Sequence, residues 1–207
     1  MIETSSLIDQ LAQDGAKPRH ARRGFALPLL TAIVICIAGV TVALDGAFDP
    51  VTLHGAMPLT VKWWFSATLA LLSASALWLL GQPGRKPGVA LWSMMIPFVF
   101  VAGLLLMELA KVGPVLNSPT WRTCLLAMAI MSPIGFAGAI LATRYLAPTD
   151  LRHAGGIAGL FGGAVAMAVY SPYCPERGAL FMAVFYCLPI LAMAGLGWLL
   201  GPRLLRW

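Results

Sequence analysis

The sequence predicts an all-α polytopic membrane protein, a bundle of about six transmembrane helices preceded by a short cytoplasmic amphipathic helix. Three observations predict it. Of the 207 residues, 59% are hydrophobic and only 11% charged, with mean hydropathy +0.84, where soluble domains carry roughly 25% charged residues. The apolar residues gather into six runs approaching the roughly 20 residues that a helix needs to cross a hydrocarbon core about 30 Å thick. Fourteen Lys and Arg against eight Asp and Glu would suit a nucleic-acid partner if they formed one patch, but they sit in short clusters between the runs, as membrane orientation signals do.

The chain divides into a cytoplasmic segment, residues 1–23, and a six-helix domain, residues 24–207. In the first, Ser6 and Asp9 have the spacing of a helix cap and Gly15 can close the helix. Between them Leu7, Ile8, Leu11 and Ala12 share one face, while Asp9, Gln10, Gln13 and Asp14 point elsewhere. A helix this short is marginal alone in water and needs a surface for its apolar face. A membrane-lying helix would carry Lys or Arg on its polar face; this one carries Asp9 and Asp14, with Glu3 just ahead. The basic residues Lys17, Arg19, Arg22 and Arg23 come afterwards, as a juxtamembrane anchor. The expectation is a helix offered to the groove of a cytosolic protein, with Leu7, Ile8, Asp9, Leu11 and Ala12 as its partner-binding residues.

The six spans are predicted at 25–44, 63–80, 88–107, 120–142, 154–170 and 179–200, separated by turn-forming residues such as Asp45-Gly46, Gly81-Gln82-Pro83-Gly84 and Ser171-Pro172. The first is too long for a signal-peptide core and lacks a small-x-small exit, so it reads as an anchor. The fifth is short and glycine-rich, which leaves a five-helix alternative open. Its Gly155, Gly159 and Gly163 recur every four residues, the pattern of a face that lets another backbone approach, and the rival reading is a pore lining. Pro97, Pro133 and Pro189 fall within spans, where each removes a donor and can kink a helix.

Orientation follows from the loops. Ten basic residues fall on one side (Lys17, Arg19, Arg22, Arg23, Arg85, Lys86, Arg144, Arg152, Arg203, Arg206) and four on the other (Lys62, Lys111, Arg122, Arg177). The richer side is expected to be cytoplasmic and to hold both termini, as in an inner-membrane protein. Glu108, Lys111 and Arg122 lie near span ends, where they can snorkel to the interface.

The motifs of catalysis are missing. The sequence has no His-Glu-x-x-His helix and no phosphate-binding glycine loop, and His20, His54 and His153 lie in separate polar segments. An enzyme is therefore not expected, nor a cofactor. The competing functional reading is a small multi-span transporter or channel, against which stands the lack of a binding-site charge or an internal repeat.

Of the four cysteines, Cys36 and Cys187 lie deep in their spans and read as small apolar filler. Cys124, at the outer end of the fourth span, and Cys174, in the loop after the fifth, share the compartment in which disulfides persist. Taken with the Leu7-Ile8-Asp9-Gln10-Leu11-Ala12 core, the basic stretch ending in Arg22-Arg23, and six spans in about 200 residues, this pair makes the whole chain resemble the NrsF-like membrane anti-sigma factors. That resemblance implies a partner, an extracytoplasmic-function sigma factor held at the inner membrane without direct nucleic-acid binding and released under stress, with Cys124 and Cys174 as the sensor. Whether the two are bonded or free at rest is left open, and free thiols could ligate a soft metal ion or react with an oxidant.

Overall fold

A computed structural model describes residues 18–43, 56–82, 88–111, 113, 120–146, 148–176 and 178–206. Leu7, Ile8, Asp9, Leu11 and Ala12, the expected partner-binding residues, lie outside the described residues. The regular elements are α1 (Pro18–Ala43), α2 (Ala56–Leu80), α3 (Gly88–Ser93), α4 (Met95–Lys111), α5 (Trp121–Arg144), α6 (Leu151–Tyr170), a 3-10 turn at Ser171–Tyr173, α7 (Ala179–Met182), a π-helical turn at Ala183–Cys187, and α8 (Leu188–Leu204). Among the described residues there is no strand. Together these elements supply six helices long and apolar enough to cross a membrane: Arg22–Ala43, Leu59–Leu80, Leu91–Lys111, Trp121–Arg144, Leu151–Tyr173 and Ala179–Leu204. The five-helix alternative falls, because the fifth helix is present at full length.

Two of the three prolines do more than bend a helix. Pro97 has no N–H to return to the Ser93 carbonyl, so the third span breaks at Met94, whose N–H bonds back to Leu91 at 3.3 Å. Pro189 likewise cannot serve the Phe185 carbonyl. The chain accommodates this by widening, and the Leu188 N–H reaches the Ala183 carbonyl five residues back. Pro133 is different: it sits inside α5, whose 24 residues run unbroken through it.

The fifth span is the centre of the bundle. It is 78% buried, against 50% for the fourth and 17% for the third, because α6 is packed against α8, α5 and α2 at once, while α1 lies on α5 and α4 stays at the edge beside α7. So crowded a helix must be thin. A Cβ at Gly159 would stand 2.7 Å from the Met193 carbonyl carbon and 2.8 Å from the Ala194 Cα, and one at Gly163 would stand 3.0 Å from the Ile190 Cα. Gly155 abuts Gly197 and Gly201 in the same way, while Gly162 on another face meets Ser132 and Phe136 of α5. The glycine face thus lies against the backbone of α8, leaving no lumen along it.

Gly159→Ala is expected to lower the thermal midpoint of the detergent-solubilised protein, since overpacking at a rigid backbone costs about 1–3 kcal/mol. Gly195→Ala, in a helix position with nothing within 4 Å, is the matched control and should not lower it. Equal midpoints for the two variants would contradict the packing described here.

The helix ends are satisfied by specific groups. Asp150 caps α6, its carboxylate accepting from the N–H groups of Arg152 and His153, both at 3.1 Å. Arg144 donates through Nε and Nη2 to the Leu204 carbonyl at 2.9 and 2.5 Å, which closes the last turn of α8. Outside the core the pattern inverts: Leu27, Val34, Leu71, Val99, Leu126 and Leu196 all face outward and exposed.

Candidate functional site

At the ends of these helices opposite Arg144 and Arg152, four elements bring polar groups together. The first turn of α5 carries Cys124, whose N–H bonds the Thr120 carbonyl at 3.1 Å. The Ser171–Tyr173 turn, shaped by buried Pro172, delivers Cys174 in extended conformation (φ −99°, ψ 112°), its N–H 3.3 Å from the Ser171 carbonyl. The π-helical turn supplies Tyr186, and α2 supplies Lys62. The loop that follows Cys174 is tied down on both sides. Thr120 Oγ1 donates to Glu176 Oε1 at 2.9 Å, and the Glu108 carboxylate accepts from the Ala179 N–H at the start of the sixth span.

The two cysteines are unbonded and fully enclosed, each with 0% exposure. Both thiols are thus shielded from solvent, with Lys62 of α2 and Tyr186 of the π-helical turn beside them. The sulfurs interact with each other, the Cys124 thiol serving as hydrogen-bond partner to Cys174. That contact, reinforced by the Lys62 ammonium, holds Cys174 below the usual thiol range, although burial pushes the other way. Tyr186 lies beside both sulfurs, its hydroxyl buried against them.

Two residues here were not expected from the sequence. Lys62 counts there as one of the outer-loop charges, yet it is 5% exposed and its Nζ donates to the Cys174 carbonyl oxygen at 3.1 Å. The Tyr186 ring lies with its centre 5.9 Å from that nitrogen. The available signal for Lys62 was its position beside Trp63 and Trp64 at the head of an apolar run; Tyr186 left none. Glu108, near the end of the third apolar helix, has a specific partner there: its carboxylate accepts from the Ala179 N–H at the start of the sixth.

The other predicted residues stand apart from this cluster. Cys36 and Cys187 are buried among apolar neighbours, Cys36 with its sulfur 3.8 Å from the Met131 carbonyl oxygen. Gly155, Gly159 and Gly163 lie along the α6–α8 contact.

Chemically, the cluster offers two thiols, one phenol and one ammonium in a sealed space. Among the described residues no three His, Cys, Asp or Glu side chains converge to hold a metal ion, which disfavours a four-ligand zinc site. Two sulfurs can still ligate a soft cation or be oxidised to a disulfide.

Comparison with known proteins places this geometry in context. Residues 11–207 match the family described as "Negative regulator of sigma F", NrsF. The probable anti-sigma-F factor NrsF of Azospira oryzae is 37% identical over 152 residues, 71% of each chain. The anti-sigma-F factor NrsF of Caulobacter vibrioides is 28% identical over an alignment spanning the whole of both chains. No solved structure matches.

Proposed function

We propose, since the chain belongs to the NrsF family of negative regulators of sigma F, that it is an inner-membrane anti-sigma factor. Residues 1–23 hold an extracytoplasmic-function sigma factor, and a change of state at Cys124 and Cys174 releases it. The family's role is regulatory and not enzymatic. The observation that carries the reading is the family match over residues 11–207, which takes in all six apolar helices and both members of the buried cysteine pair. The outward-facing apolar side chains support a lipid surround, and the relatives' names support a sigma factor as partner.

The position of the pair suits it to act as a trigger. A bond between the sulfurs, or a soft cation held by both, would tie the head of α5 to the loop between the fifth and sixth spans. That loop also engages α2 through Lys62, so a change there bears on three helices at once. Each runs to the opposite end of the bundle, where the cytoplasmic segment would bind its partner.

The decisive test of partnership is co-purification of the sigma factor encoded beside the gene with the full-length membrane protein; failure of any such factor to co-purify would overturn the reading. Orientation is tested separately. Reporter fusions at Trp207 and near Gln82 are expected to be active only as cytoplasmic fusions, and periplasmic phosphatase activity at both positions would reverse the topology.

A further inference from the structure

Lys62 is the one buried charged side chain among the described residues. Its stem is long enough to snorkel, and Lys111 and Arg122 at the same end of the bundle are exposed. Lys62 turns inward instead. An ammonium placed in an apolar interior is costly unless it is hydrogen-bonded or paired. Its bonded partner is the main-chain carbonyl of Cys174, which engages one of its three donors. Beyond that carbonyl, its charge faces Cys174, Cys124 and Glu176. Tyr186, with its ring against the ammonium and its buried hydroxyl beside the sulfurs, completes the enclosure.

We propose that Lys62 is the positioning residue of the cysteine pair: it fixes the Cys174 main chain and places a positive charge beside both sulfurs, keeping Cys174 reactive toward soft cations and electrophiles. Its physiological meaning rests on the reading of the pair as a sensor; its chemistry does not.

Several consequences separate this role from simple bracing. The titratable and charged groups around Cys174 are Lys62 from α2, Cys124 from α5, Tyr170 from α6, Glu176 from the loop and Tyr186 from the π-helical turn. Of these Lys62 alone supplies a positive charge. Removing that charge while keeping a donor for the carbonyl should make Cys174 a weaker nucleophile. Removing a mere brace would loosen the loop, uncover the sulfur and make it label faster. The two roles therefore predict opposite signs.

The experiment follows alkylation of Cys174 by iodoacetamide between pH 5 and 9, using full-length protein in native membranes and mass spectrometry of the labelled peptide. Lys62→Gln is expected to raise the midpoint of the pH profile and slow labelling at pH 7 by about tenfold, the effect of losing one nearby opposite charge. Lys62→Arg, which keeps the charge, is expected to stay near the unsubstituted protein. An unchanged midpoint in Lys62→Gln, faster labelling at pH 7, or a Lys62→Arg profile matching that of Lys62→Gln would each overturn the proposal. Should Lys62→Gln not accumulate in membranes, the unsubstituted profile decides, because a midpoint in the ordinary thiol range near about 8.5 would also overturn it. Sigma-dependent transcription is read in parallel. A shifted midpoint with unaltered induction by soft metals would uphold the role of Lys62 and count against the pair as the sensor.

Discussion

Replacing Leu7 and Leu11 together with Asp is expected to free the sigma factor and leave its regulon permanently on. The spacing of the sequence predicts both leucines on the apolar face of a short acidic helix, and a helix of that length needs a surface to cover such a face. Burial of one leucine is worth roughly 1.5–3 kcal/mol, and every 1.4 kcal/mol or so is tenfold in affinity, so the double substitution should weaken capture by roughly tens of fold or more. The helical bundle is untouched, so the protein should accumulate normally. A pull-down reads binding directly, and a sigma-dependent reporter reads its consequence without any stimulus. If the double variant captures the partner as well as the parent does, the contact lies elsewhere, with the loops around Arg85 and Arg152 as the next candidates.

The second large effect concerns the cysteines. Cys124→Ser and Cys174→Ser, singly and together, are expected to abolish induction by oxidants and thiophilic metals. A hydroxyl can neither enter a disulfide nor bind soft metals as a thiolate does. If the two sulfurs act as one unit, the double variant should lose no more than either single variant. Retention of the folded protein is checked by its thermal midpoint, because a serine buried at these positions must find new partners. Full induction in all three variants would remove the pair from signalling and leave it as a packing feature at the head of α5.

Much of this architecture is written plainly in the chain. A helix needs a fixed length of apolar sequence to cross hydrocarbon, and that requirement placed all six helices within a few residues of where they lie. The spacing of Gly155, Gly159 and Gly163 likewise singled out the most enclosed helix. The site was less legible. Charge counting ranks a loop by its lysines and arginines and is blind to whether one of them folds back into the bundle, so Lys62 was scored as an orientation signal. The contact between Glu108 and Ala179 joins residues far apart in sequence, and no local pattern announces it. The break at Met94 is a matter of degree, since Pro97 alone can equally well bend a helix as interrupt it. Burial of the cysteine pair depends on α2 and the π-helical turn closing over it, a property of assembly that no window of residues contains.

The widened turn at Ala183–Cys187 has a consequence of phase. Met182, Tyr186 and Ile190 are all buried, spaced four and four. At 3.6 residues per turn, eight residues of regular helix overshoot two full turns by roughly 80°, enough to swing Tyr186 and Ile190 off a common line with Met182. The π-helical turn absorbs that overshoot, letting Tyr186 look toward the sulfurs while Ile190 below it still meets Gly163. The number of residues between Phe181 and Ile190 is therefore as much a part of the site as their identity. Substitutions there change a surface, whereas a single insertion or deletion would rotate one half of the helix against the other and carry Tyr186 away from the sulfurs.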